Sequence, residues 1–444
     1  MTFTNPQTVL ERKELGRAMY DLMATLYPIC RSITGEGVRE TLRLIQKYIL
    51  LEMREVASGT KVFDWTVPLE WNVSDAYVLN QEGKRVIDFK EHNLHLMSYS
   101  TPIRRKMSLA QLRPHLFTLP DHPEWIPYRT SYYKENWGFC LRHADFERLP
   151  DGEYEVVIDS YLQPGSLTYG EVYLQGELPD EILISCHVCH PSLCNDNLSG
   201  ITVAVKLAET MAACQRRYSY RFLFIPGTIG SITWLAQNEE RISRVKHGLV
   251  LTGVGDGGTI TYKKSRRGNA EIDRAMAHVL KHSEKPSTII DFFPYGYDER
   301  QYCSPAFNLP IGCVMRTPHG EYPEYHSSAD NLNFVKAESL VESYDRCLEV
   351  LQLLEENRMY VNQNPKCEPQ LGRRGLYRAV AGHQEKQSRE LAMLWTLNGS
   401  DGGATLLDIA DRADIPFRYL HAAAIELERV GLLRECVATR SGNT

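Results

Sequence analysis

The stretch 184–200 holds the residue types that a metal-dependent hydrolysis needs. His187 closes an apolar run, and Asp196 stands before an amphipathic helical pattern. Downstream, Val250-Leu251-Thr252-Gly253-Val254-Gly255-Asp256 ends another apolar run in a carboxylate. His326 lies on a loop between an apolar run at 309–315 and a long helical pattern. Neutral imidazole and carboxylate are the ligand types of a catalytic zinc. Singly, each residue has a plainer reading: Asp196 as a helix N-cap, His187 as a polar strand end. Cys186, Cys189, His190 and Cys194 also leave open a closed structural zinc site, although the usual paired Cys-x-x-Cys knuckles are absent. Two His and two Asp, each just past a strand, are harder to dismiss together.

These residues need a sheet whose strands end at one rim. Residues 182–186, 221–225, 249–252 and 309–315 have strand character. Helical periodicity fills 198–213, 229–237, 269–282 and 336–356. In 198–213, Ile201, Ala204, Val205, Ala208 and Met211 make one apolar face. The alternation predicts an α/β fold, a mixed and largely parallel sheet sandwiched by helices. Ligands of such sheets gather beyond the carboxyl ends of strands, so His187 and Asp196 should face one crevice.

Ahead of this region, 11–27 and 38–50 read as helices. Between 55 and 174 the helical period gives way to short alternating runs punctuated by Pro and Gly, which reads as an inserted β-rich domain. Residues 361–376 read as a linker. Three short helices at 391–397, 405–413 and 416–430 follow, in the manner of a winged helix-turn-helix. The expected organisation is 1–54 with 175–360 as the main domain, 55–174 as the insert, and 377–444 as the winged helix.

The 444 residues carry a formal charge of −6 with no basic tract, which gives nucleic-acid binding no electrostatic support. The last predicted helix carries Arg418 and Arg429 against Glu426 and Glu428, poor equipment for phosphate contact. No apolar run approaches the roughly 18–20 residues that cross a bilayer, and the polar N-terminus lacks the apolar segment of a secretory signal. Eleven scattered cysteines read as reduced thiols of a cytoplasmic chain. A homo-oligomer is compatible with all of this.

The sequence resembles the co-catalytic di-zinc aminopeptidases, which share their fold with zinc carboxypeptidases. More narrowly, it is similar to a bacterial aminopeptidase-like branch with an inserted β domain and a C-terminal winged helix. Three signatures carry the resemblance: Arg31-Ser32-Ile33-Thr34-Gly35, the Cys189–Gly200 stretch, and Tyr325–Asn331. The resemblance implies one or two zinc ions. His187 would serve one ion, His326 the other, Asp196 both, and Asp256 would supply a further carboxylate to the first. It also implies hydrolysis of an aminoacyl or peptidyl amide on a small molecule or peptide. Arg31, Tyr132, Tyr133 and Arg300 are expected at the substrate. For Tyr132 and Tyr133, an ordinary β-domain core is an equal reading.

One position departs from the pattern. Where that branch reads Pro-Glu-Thr-Ile-Gly-Ser, this chain reads Pro226-Gly227-Thr228-Ile229-Gly230-Ser231. Glycine can neither hold a proton nor bind a metal, and a positioned acid/base group contributes roughly 10²–10⁴ in rate. Asp298, Glu299 and Glu324 are the expected substitutes, and a side chain restored at 227 is expected to leave the core undisturbed. Glu239 and Glu240 fall at the far end of the following helix. The competing function is a non-catalytic ligand-binding protein on the same scaffold; a DNA-binding regulator is the third.

Overall fold

Runs of seven consecutive buried residues form two neighbouring central strands, the pattern of strands covered on both faces. The computed structural model describes residues 8–376 and 383–436. It divides into two compact units, one of residues up to Asp273 with Ser287–Asp345, the other of Arg274–Pro286 with residues from Arg346 onward.

The first unit is built on an eight-stranded sheet. Its strands in chain order are β1 (Glu52–Ala57), β2 (Ser166–Leu174), β3 (Glu181–His187), β4 (Ser219–Ile225), β5 (Val245–Leu251), β6 (Ile260–Lys263), β7 (Ser287–Ile290) and β8 (Ile311–Met315). The spatial order is β1-β2-β4-β3-β5-β8-β6-β7. Strands β4, β3, β5 and β8 run parallel, and the outer pairings β1/β2, β2/β4 and β8/β6 are antiparallel. The exposed residues of β1 mark it as an edge. The sheet is therefore mixed, with a parallel centre, as the alternation predicts.

Four central strands were legible as apolar runs. Strands β1, β2, β6 and β7 were not. The last two are only four residues long. Strands β1 and β2 fall at the margins of the expected insert, yet pair in the central sheet, because local alternation does not say which sheet a strand joins. Between them, a separate four-stranded antiparallel sheet is formed by Glu70–Leu79, Arg85–Asp88, Ile103–Ser108 and Glu153–Gln163.

Helices α1 (Val9–Leu26) and α2 (Glu36–Ile45) precede the sheet. A capping box at Thr8 and Glu11 starts the first. Helix α3 (Gly200–Ala212) follows β3 and α4 (Ile229–Gln237) follows β4. A Cβ at Gly200 would meet Asn197 Oδ1 at 2.4 Å and the Leu251 carbonyl at 2.6 Å. Glycine there lets α3 start against the sheet rim. Helices α5 (Glu271–Lys281) and α6 (Ala337–Glu356) complete this part of the chain.

In the second unit, Met359–Asn362, Asp401–Thr405 and Leu433–Glu435 form a three-stranded antiparallel sheet. Val361 and Asn362, expected in the linker, are part of it. Helices α7 (His383–Gly399), α8 (Leu406–Ala413) and α9 (Phe417–Arg429) accompany this sheet. Residues 377–382 and 437–444 of the expected winged helix lie outside the described residues. Seven of the eleven cysteines are buried, and all are free thiols. No described helix is long and apolar enough to cross a membrane.

Candidate metal centre

Strand β3 delivers His187 to the rim, where it pairs in register with Ile225, the last residue of β4. Beyond β3 the chain makes an irregular wide turn at Cys194–Ser199 before α3, with Asp196 and Asn197 outside helical backbone angles. Asp330 fixes that turn: its Oδ1 accepts the Asn195 N–H at 2.6 Å and its Oδ2 the Asp196 N–H at 2.9 Å. Burial pushes the Asp330 carboxyl up to about 7, against these backbone donors. Asp330 lies in the third signature, whose residue types carry no mark of this positioning role.

Asp196 is the hub. Its Oδ1 lies 2.8 Å from His187 Nε2, and its Oδ2 lies 3.0 Å from His326 Nε2 and 3.3 Å from His190 Nδ1. Burial alone would raise the Asp196 carboxyl, but the three imidazoles outweigh it and hold the group well below the usual range. Burial pushes His187 down to about 3 despite its carboxylate partner, so its ring is neutral. His187, His190 and Asp196 form the only group of three or more ligand-type side chains with mutually close donor atoms among the described residues. His190 was seen in the sequence only as part of a cysteine-rich alternative. No cysteine joins the group, and burial keeps the thiols of Cys186, Cys189 and Cys194 raised.

The donor set can be tested against a metal. Asp196 Oδ2 and His326 Nε2 are both buried and face each other at 3.0 Å, yet neither has a hydrogen-bond partner. Two orphaned donor atoms converging at that distance fit a shared cation. His187 is set differently. Asn197 Oδ1 accepts the Gly200 and Gly253 N–H groups, so its amide nitrogen faces His187 Nδ1 at 3.2 Å. A donor at Nδ1 leaves the ring proton on Nε2, toward Asp196.

Asp256 is placed elsewhere. Asn195 Nδ2 and the Thr317 N–H donate to its Oδ2, and the Gly258 N–H and Thr317 hydroxyl to its Oδ1. Both oxygens are engaged, and the carboxylate stands outside the His–Asp group. The last residue of a strand pattern is visible in sequence; the donors that surround it are not.

Gly227 follows β4, and its N–H lies 3.2 Å from Cys189 Sγ. A Cβ here would come within 2.0 Å of Tyr297 Oη and 2.2 Å of its ring. The expectation that a side chain at 227 leaves its surroundings undisturbed is therefore corrected. Tyr297 fills that space, stacks on His187 at 3.6 Å between centroids, and reaches to 3.4 Å from His190 Nε2.

Of the expected substitute carboxylates, Glu299 is buried in an ion pair with Lys263 and accepts from the Tyr297 N–H. Glu324 makes no side-chain bond to the cluster among the described residues. Asp298 lies nearest in bonding terms, its Oδ1 accepting from Thr228 N–H at 3.1 Å and Ser231 Oγ at 2.8 Å. Its Oδ2 is buried without a partner, and burial pushes the carboxyl up to about 7.

The expected substrate residues separate. Arg31 is buried. Its Nε donates to the His190 carbonyl at 3.1 Å, so it supports the His190 loop rather than facing solvent. Burial lowers its guanidinium to about 10. Tyr132 bonds the Tyr128 hydroxyl at 3.0 Å, and the Tyr128 ring packs about 5 Å from those of His190 and His326. Tyr133 is exposed and packs on Trp65. Arg300 makes no bond to the cluster among the described residues.

Residues 20–357 match a family described as a domain of unknown function (DUF4910), and residues 358–435 match a winged helix-turn-helix family. A Clostridium acetobutylicum protein is 54% identical over 95% of this chain and 97% of its own length. Its provisional name is polysaccharide biosynthesis protein with aminopeptidase-like domain. A crystal structure from the same organism, provisionally titled a peptidase, is 52% identical with a TM-score of 0.92, covering 96% of this chain and 98% of its own. A zinc aminopeptidase from Bacillus subtilis is 11% identical with a TM-score of 0.56, covering 76% of this chain and 94% of its own, which shows a common fold. The chain belongs to the DUF4910 family, an aminopeptidase-like branch on the zinc-aminopeptidase fold with a winged helix-turn-helix behind it.

Proposed function

We propose that the chain is a zinc-dependent hydrolase of the aminopeptidase type that removes an aminoacyl or peptidyl group from a small molecule or peptide. The observation that carries this reading is the convergence of His187, His190 and His326 on the two oxygens of Asp196. Asp196, His326 and one further imidazole would hold a single ion. When bound, zinc polarises a carbonyl and lowers the pKa of water.

The chain's own residues do the rest. Asp330 holds Asp196 in place through its backbone N–H, and Arg31 holds the His190 carbonyl. Tyr297 covers the His187 face and excludes water from it. Asp298 is the carboxyl best placed to hold a proton beside the 227 position. The relative's name supports a saccharide-borne aminoacyl group as substrate, and the cytoplasm as the place of action fits the free cysteines.

The second reading, a non-catalytic ligand-binding protein, draws on Asn197, whose amide keeps the His187 Nε2 proton where a metal would bind. Zinc-loaded protein assayed on aminoacyl p-nitroanilides, with metal content measured in parallel, decides between them. Zinc-dependent turnover supports the hydrolase. Saturable binding of the same compounds without turnover supports the alternative.

DNA binding is not expected of the second unit. The Phe417 N–H at the start of α9 donates to His278 Nε2 at 2.9 Å, and Lys281 pairs with Asp414 just before it. The end of the helix that would enter a major groove is thereby occupied. Tight, salt-sensitive, sequence-selective binding by the full chain would refute this.

A further inference from the structure

One residue along from Tyr128, the same segment that braces His326 begins to line a cavity of about 440 Å³. Residues 126–128 are bonded to the His326 loop. The Tyr128 N–H donates to the His326 carbonyl at 2.8 Å, and the Ser328 N–H to the Ile126 carbonyl at 2.8 Å. The segment then anchors on Ser98, whose N–H donates to the Arg129 carbonyl and whose carbonyl accepts from the Ser131 N–H.

The cavity beyond this anchor is lined by Arg129 and Lys134, with Thr130 and Asn136 between them and Phe117 and Tyr132 as aromatic wall. Neither cation has a carboxylate partner among the described residues, and no carboxylate lines the cavity. Two cations lining one concavity that holds no carboxylate is the distinguishing feature. The backbone that brings them together is strained. Tyr133 is a bulky residue at φ +60°, inside a turn closed by Ser131 Oγ donating to the Lys134 carbonyl at 2.7 Å. Strain of this kind costs roughly 1–3 kcal/mol and clusters at ligand clamps.

We infer that this cavity is a binding subsite for a phosphorylated saccharide, separate from the His–Asp cluster. Arg129 and Lys134 meet the phosphate with charge-assisted hydrogen bonds, Thr130 and Asn136 meet hydroxyls, and Phe117 and Tyr132 take the apolar face of the ring. The volume suits a ligand of that size. Tyr132 is shared between this cavity and the Tyr128 contact to His190 and His326, so occupancy is felt at the cluster through one hydroxyl pair. The subsite does not depend on the cluster binding metal or turning over substrate.

Calorimetric titration of the full chain, without added metal, with glucose 1-phosphate, glucose and inorganic phosphate tests this. Glucose 1-phosphate should bind at least tenfold more tightly than glucose. The Arg129→Ala/Lys134→Ala double variant should weaken it at least tenfold with an unchanged thermal midpoint, since both side chains are exposed. Equal binding of glucose and glucose 1-phosphate, or unchanged affinity in the double variant, would overturn the subsite. Inorganic phosphate binding as tightly as glucose 1-phosphate would overturn the saccharide.

Discussion

Strands β3 and β4 run parallel and end side by side, yet their rims differ in kind. Beyond β3 a buried carboxylate is held charged by three imidazoles. Beyond β4, where the resemblance implies a carboxylate, Gly227 leaves a space filled by Tyr297, and the nearest carboxyl, Asp298, is pushed toward its neutral form by burial. One rim has a charged carboxylate facing an orphaned imidazole nitrogen; the other has a single orphaned oxygen on a carboxyl that burial pushes toward neutrality. On this scaffold the His–Asp cluster thus stands intact beside a rim where an aromatic ring fills the space that the resemblance gives to a carboxylate.

The largest expected effect is on the charged rim. Asp196→Ala removes the one carboxylate among the described residues that meets all three histidines, and zinc affinity should fall at least about 100-fold, beyond the usual cost of losing a ligand's supporting partner. Equilibrium dialysis against zinc reads this, with circular dichroism to confirm the fold. Equal affinity in both proteins would break the comparison, since the two rims would then be alike in binding nothing.

The sequence made the charged rim legible because its residues are distinctive in type. His187 and Asp196 stand at a strand end and a helix start, and strand order brings both to one edge. His190 was legible only within a cysteine-rich alternative, because three residues beyond a strand it has no periodic signal of its own. Asp256 was legible by position alone. Its position after β5 is correct, but the Asn195 and Thr317 groups that occupy it come from other parts of the chain. The filled space at Gly227 was not legible at all. Tyr297 lies seventy residues on, and only the tertiary fold sets its ring against that backbone. The small strands β6 and β7 escaped because four residues carry too little alternation to register.

A smaller effect is expected on the other rim. Gly227→Ala should cost roughly 1–3 kcal/mol, because the added Cβ overpacks against Tyr297. In a Tyr297→Ala background the same substitution should cost far less. Urea unfolding of the four proteins of this cycle gives the coupling directly. Costs that add to within about 0.5 kcal/mol would mean that Tyr297 is not what fills the space.

A third effect, spread over a pH window, concerns Asp298, whose carboxyl burial pushes up to about 7. Its unfolded value is near 3.9, so between about pH 4 and pH 7 the folded state holds a proton that the unfolded state has released. The unfolded state then binds fewer protons, and stability falls as pH rises through that window, by at most about 1.4 kcal/mol per pH unit. Asp298→Asn keeps an acceptor for the Thr228 N–H and the Ser231 hydroxyl but has no proton to lose. The variant should therefore gain on the parent as pH rises from 5 to 7 and hold a constant offset above about 8. Urea midpoints at pH 5, 6, 7 and 8 measure the difference. An offset that does not change with pH would mean Asp298 is ionised throughout, and the second rim would then carry the same charge as the first.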